Sequence, residues 1–196
     1  MENDYSILKE FDYPPQEVSR GYTDRTLYVN LSSREIISKS VSQAMKDIFI
    51  GGRGFGLRLL WDGITSKTKW DDPENEIVIS SGPIGGITQY PGTGKSIVVS
   101  VSPTTEMVVD SNVGGYYGPY LKFAGWDAIE IQGKANQEVI IFVDGSTNKV
   151  QIIEAPMDTT NTHVLTKELL KLFAEPGKEN CVSSVTAGQG GDNTLI

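Results

Sequence analysis

The apolar and polar positions of the chain fall into short β-type segments separated by turn residues, with few helical stretches. Residues 22–31 (YTDRTLYVNL) alternate and are rich in β-formers, which predicts a strand. Residues 32–35 (SSRE) supply a turn, and 35–40 (EIISKS) the return strand of an opening hairpin. Further strands are predicted at 76–81 (EIVISS), 97–101 (IVVSV), 128–132 (AIEIQ), 139–143 (VIIFV) and 149–154 (KVQIIE). The last two are joined through Asp144-Gly145-Ser146, a good turn signal. Shorter strands are expected at 107–109 and 182–185. Helical spacing is strongest at 162–173 (THVLTKELLKLF), where Val164, Leu165, Leu169, Leu172 and Phe173 recur on one face. Weaker helical segments are 42–49, capped by Ser40 or Ser42, then 57–61 (LRLLW), and a turn at 120–124 stopped by Gly125. Pro14-Pro15 and a polar composition make residues 1–20 an N-terminal arm ahead of a domain spanning 21–196. Strands and helices do not alternate as βαβ units. The pattern therefore predicts an α+β fold, strand-rich, with mixed or antiparallel β-sheets and a few short helices.

Composition narrows the function classes. The 196 residues are 38% hydrophobic and 21% charged, enough for one large or two small packed domains rather than a disordered chain. The net charge of −8 argues against a general nucleic-acid or anionic-membrane binder. No apolar run is long enough for a membrane span, and the acidic start has no signal-peptide pattern, so a cytoplasmic protein is expected. One cysteine excludes an internal disulfide, and excludes a Cys-ligated zinc site or iron–sulfur cluster built by this chain alone. Cys181 reads as a small buried hydrophobe and His163 as a surface or helix-entry residue. Trp61, Trp70 and Trp126 read as core or domain-interface residues, and Asp71-Asp72 as a solvated loop.

Glycine is the excess, with 21 residues, most of them gathered at 51–56, 82–94 and 114–118 and more weakly at 188–191. Glycine lets the backbone approach a ligand closely, and runs of exposed N–H groups form nests for phosphate-like anions. Two of the clusters carry a cation, Arg53 or Lys95. The nucleotide motifs these clusters suggest both fail. Residues 90–96 end like a P-loop, but Gln89 stands where the first glycine is needed, and strand-type sequence follows Lys95-Ser96. Residues 52–56 are one residue short of a dinucleotide fingerprint and follow a helical segment rather than a strand.

Four segments together carry a resemblance: Gly51-Gly52-Arg53-Gly54-Phe55-Gly56, Ser81-Gly82-Pro83-Ile84-Gly85-Gly86, the run 110–119 (DSNVGGYYGP) and the run 121–135 (LKFAGWDAIEIQGKA). In order and spacing, from about Gly21 to the end, they resemble the aldehyde:ferredoxin oxidoreductase family. The resemblance implies a tungsten or molybdenum atom held by a bis-pterin (tungstopterin, bis-molybdopterin) with a [4Fe–4S] cluster nearby. It implies oxidation of aldehydes or a related low-potential reaction, one branch being the tungsten subunit of benzoyl-CoA reductase. A β-sheet N-terminal domain forms the base under the pterins in this family. Lys95 falls where the family commonly has an arginine between pterin and cluster. Asn112 matches an asparagine whose main chain helps hold the Mg²⁺ between the pterin phosphates. Gly114 and Gly115 match glycines packed against the pterin, and Gly52, Arg53 and Gly54 form the family's Gly-Arg-Gly segment.

Two departures qualify this. Lys95 is a point charge without the planar fork of arginine, which puts a bidentate bridge in doubt. The family's later pterin loop and cluster cysteines are absent. The resemblance thus implies the first domain of a larger enzyme, inactive alone and incomplete at its C-terminal end. Its partners would be the downstream domains or subunits and a ferredoxin-like carrier or iron–sulfur subunit. The alternative is a stand-alone, non-catalytic binding or interaction subunit of a larger redox complex.

Overall fold

The computed structural model describes residues 5–156 and 161–193; residues 1–4 of the arm and the last three residues of the 21–196 unit lie outside the described residues. Two sheets form. The larger has six strands in the order β3 (Glu35–Ser40), β2 (Arg25–Asn30), β7 (Ala128–Gln132), β4 (Glu76–Ser81), β5 (Ser96–Val101) and β6 (Val108–Val113). Its pairs are antiparallel except β2 with β7, so the sheet is mixed. The smaller sheet is antiparallel, in the order β1 (Ile7–Asp12), β9 (Lys149–Glu154), β8 (Val139–Asp144). Helices α1 (Gln43–Phe49), α2 (Arg53–Gly63), α3 (Tyr117–Phe123), α4 (Thr162–Phe173) and α5 (Gly188–Asn193) complete the elements named below. The α+β expectation holds, and the single parallel pair, β2 with β7, is one that only a long crossover connection can make.

Period-two alternation decides what each sheet face buries. On one face of the large sheet Leu27, Val29, Ile36, Ile79 and Ile129 meet Trp126, Tyr13 and the β9 residues Val150 and Ile152. On the other face Val78, Val99 and Ala128 meet Phe55, Leu59 and Leu60 of α2. Each fully buried side chain of this kind contributes about 1.5–3 kcal/mol. Trp126 sits with Tyr13 edge-on at 4.8 Å, and the Arg25 guanidinium lies 4.4 Å from the Trp126 ring centroid. Arg25 also donates through Nε to the Gly125 carbonyl (2.7 Å) and through Nη1 to the Pro14 carbonyl (2.9 Å). A cation–π contact in a desolvated setting is worth about 2 kcal/mol, so this cluster fastens residues 13–14 to the domain.

Strands 35–40, 76–81, 128–132 and 149–154 and helix 162–173 occur with the predicted bounds. Ser42 caps α1, accepting from the Met45 amide at 3.1 Å. Several features differ from the sequence reading, among them β6, which runs to Val113 where a short strand at 107–109 is expected. The stretch read as an arm contains β1, whose backbone pairs with β9. β2 begins at Arg25 rather than at residue 22, because Asp24 adopts φ 60° and breaks the extended run. α2 begins at Arg53, so part of the first glycine cluster is helical. Residues 182–185 form no strand, having no partner to pair with. Cys181 is exposed, on a single helical turn after α4, and Trp61 is 77% exposed, so neither is core. Trp126 is fully buried as expected. Among the described residues no helix is long and apolar enough to cross a membrane.

Candidate functional site

The chain order scatters the glycine clusters, but the sheet gathers them. β4, β5 and β6 are neighbours and antiparallel, so the end of β4, the start of β5 and the end of β6 lie at one end of the sheet. Ser81 pairs with Ser96, Ser96 with Val113, and Ile97 with Asn112. The N-terminus of α2 joins them there: the Gly52 amide donates to the Ser81 carbonyl (3.0 Å), and the Ser80 hydroxyl donates to the Gly52 carbonyl (2.7 Å). Gly51-Gly52, Ser81-Gly82, Gly94-Lys95 and Val113-Gly114-Gly115 therefore form one backbone platform.

Most platform glycines are needed for close packing. A Cβ on Gly51 would sit 3.1 Å from the Gly82 Cα. One on Gly94 would strike the Gly115 carbonyl, and one on Gly118 would strike the Ser96 hydroxyl. A Cβ on Gly54, in the first turn of α2, would meet the Phe49 carbonyl of α1, so its missing side chain serves the α1–α2 contact. Gly52 (φ 52°) and Gly115 (φ 98°) hold left-handed backbone that only glycine adopts freely.

Gly82 and Gly114 are different. Neither has positive φ, and a Cβ on Gly82 would meet nothing within 4 Å. At Gly114 the nearest atom would be the Lys95 Nζ, 4.0 Å away. Packing within the chain leaves their bareness unexplained. Bare backbone of this kind can admit a flat ligand.

The charges around the platform are distinct in kind. Lys95 is exposed beside Gly114. Arg53, at the start of α2, pairs with Asp110 of β6 at 2.8 Å, so its charge is already engaged. Asp110 and Asn112 lie two residues apart and share a face of β6, with Asn112 exposed. No acidic residue stands in the first turn of α2, whose positive dipole end faces the platform. From beneath, the buried Lys122 of α3 donates to the Gly82 carbonyl. Its ammonium is pulled down to about 8 by burial, against the opposing pull of the Asp127 charge. Tyr117 packs into the inter-sheet core, whereas Tyr116 is exposed and stacks on Tyr120 at 5.7 Å.

The seven residues singled out in the sequence thus sit at one end of one sheet, six on the platform surface and Gly54 inside α2. The residue missed was Lys122, which reads as an ordinary polar position in the helical turn 120–124. Its neighbours Leu121 and Phe123 gave no sign that it points inward. Strand, not helix, follows Lys95-Ser96, and a helix precedes Gly51, so the P-loop and dinucleotide geometries are both absent here. No group of three or more His, Cys, Asp or Glu side chains able to hold a metal occurs among the described residues.

The family profile "Aldehyde ferredoxin oxidoreductase, N-terminal domain" matches residues 26–196. A tungsten-containing aldehyde ferredoxin oxidoreductase of Pyrococcus horikoshii is 34% identical over 175 residues, covering 89% of this chain and 28% of that protein. The aliphatic sulfonate oxidoreductase, WOR-like subunit, of Pyrococcus furiosus is 30% identical over 190 residues, covering 89% of this chain and 29% of that protein. Among solved structures, the active site complex BamBC of benzoyl coenzyme A reductase with 1,5-dienoyl-CoA superposes with a TM-score of 0.70 at 27% identity. That superposition covers 79% of this chain and 24% of the other. The chain therefore spans less than a third of the length of these relatives.

Proposed function

The chain belongs to the family of aldehyde ferredoxin oxidoreductase N-terminal domains, and from that premise we propose that its platform is the floor on which a tungsten or molybdenum bis-pterin cofactor rests in a larger oxidoreductase. The observation that carries the reading is the pair Gly82 and Gly114, bare without any reason inside the chain. A bis-pterin offers flat hydrogen-bonding rings and phosphates, which suit bare backbone and nearby cations respectively. Gly52, Gly114 and Gly115 would lie against the rings. Lys95 would meet negative charge at the Gly114 edge. Asn112, on the exposed edge strand, would offer its main chain to a Mg²⁺ between the phosphates. Gly54 would act indirectly, by letting α2 seat on α1.

When bound, the cofactor would supply two-electron redox chemistry at its metal. The work of this chain is to bind and orient it. An ammonium at position 95 would neutralise charge without fixing a plane, unlike a guanidinium, so ring orientation falls to the glycine backbone. A [4Fe–4S] cluster would need ligands from elsewhere, since the chain has one cysteine and it lies on an exposed turn. Substrates in the class of aldehydes or aromatic acyl-CoA thioesters fit the named activities of the relatives. Electrons would leave through a ferredoxin-like carrier or iron–sulfur subunit.

The test is elemental and pterin analysis of the intact protein, grown with tungstate and with molybdate, together with dye-linked oxidation of a panel of aldehydes. Stoichiometric tungsten or molybdenum with pterin is expected. A protein free of both metals and of pterin under all growth conditions would refute the reading.

A further inference from the structure

Lys122 is 1% exposed, in a residue class almost never fully buried without a partner. No ion pair among the described residues takes up its charge. Its ammonium instead donates to the Gly82 carbonyl, on the underside of the platform. Three things make that carbonyl a strategic point. It also accepts the Gly85 amide (2.9 Å), which starts the loop leading to Lys95. The Gly82 Cα lies against Gly51, at the entrance to α2. Gly82 itself is a platform glycine on which a Cβ would meet nothing within 4 Å. α3 follows directly from the Gly114-Gly115 segment, so one short helix links both sides of the platform. Asp127, the nearest opposing charge, is tied to the Thr23 amide at 2.9 Å.

A buried, unpaired ammonium is costly for a fold and would be replaced readily by an apolar side chain if packing were its task. On the reading of the platform as a cofactor floor, we propose that Lys122 is a positioning residue for the cofactor: its buried ammonium pins the Gly82 carbonyl inward and sets a fixed positive charge directly beneath the surface on which the anionic cofactor rests. The charge is worth most there because the surroundings are desolvated. It complements Lys95, which supplies a mobile charge from the solvent side.

The experiment uses the intact protein carrying Lys122→Gln or Lys122→Met. Glutamine can keep the hydrogen bond to Gly82 without the charge, and methionine removes both. Tungsten, molybdenum and pterin are measured after gel filtration, alongside the thermal midpoint of wild type and variants grown without tungstate or molybdate, so that bound cofactor does not itself raise the wild-type midpoint. The expected result is a midpoint equal to or above wild type for at least the glutamine variant, with cofactor content down about tenfold or more, as loss of a charge interaction at low dielectric predicts. Full cofactor content in both variants would overturn the proposal. So would a parallel collapse of midpoint and content in both, which is what a merely structural strut would give. A wild-type protein without metal and pterin would instead overturn the reading of the platform, and this proposal with it.

Discussion

At the scale of single residues, the chain separates glycines that serve packing from glycines that serve a surface. Gly94 and Gly118 are hemmed in by backbone or side-chain atoms, whereas Gly82 and Gly114 face open space. Gly114→Val should therefore leave the thermal midpoint almost unchanged, within about 0.5 kcal/mol of stability, as for a surface substitution away from special features. Glu76 makes a second residue-scale prediction. It is fully buried against Gly63, and among the described residues neither carboxylate oxygen has a hydrogen-bond partner. Burial first, and then the Glu130 charge, push its pKa up from 4.5 to about 8, with Lys39 opposing and Asp62 adding. A carboxyl whose folded pKa is raised holds a proton that the unfolded chain has lost, so its effect is a stability that falls as pH climbs from about 4.5 to about 8. Glu76→Gln should flatten that slope and raise stability at pH 8 by roughly 1–2 kcal/mol, read by thermal or urea unfolding across pH. Lys122 works in the opposite sense. Its folded pKa is lowered, so stability should rise between about 8 and 10.5, and Lys122→Met should remove that rise.

At the scale of elements, much was legible because alternation and capping are local. The 128–132 and 149–154 strands follow from their β-type runs and the helix 162–173 from its apolar period, while Ser42 was readable as the cap of α1. What was not legible depended on distant partners. The start of α2 at Arg53 is hidden behind glycines that look like a loop, and it forms because Gly54 lets α2 close on the Phe49 carbonyl. β1 lies in polar sequence and exists because β9 offers it a free edge. Residues 182–185 have strand composition but pair with no strand edge. The candidate site shared this split: its glycines stand out by composition, but that they form one platform depends on the pairing of β4, β5 and β6. Gly54→Ala should cost about 2 kcal/mol, since the added methyl meets backbone that cannot yield. Circular dichroism and urea unfolding would show it. Phe173→Ala removes the ring stacked at 4.3 Å on Phe142 and should cost about 2–3 kcal/mol, less than for a fully buried ring because Phe173 is only half-buried. Faster hydrogen exchange confined to α4 and β8 would locate the loss.

At the scale of the whole molecule, two cores sandwich a mixed sheet, and the glycine platform caps one end of it. On the proposed reading, rigid cores would serve the platform, because a cofactor held by backbone would find no long side chains to adapt to it. The relatives that share this domain carry differently named activities, on aldehydes, sulfonates and an aromatic acyl-CoA thioester. On the proposed reading, that spread would fit a division of labour in which this domain holds the cofactor and other parts of the protein select the substrate. The most direct test is to measure metal and pterin content together with the thermal midpoint in the intact protein and its Gly114→Val variant. The account predicts a wild type loaded with tungsten or molybdenum pterin and a variant equally stable before loading but stripped of the cofactor. A variant that retains full metal and pterin would contradict it.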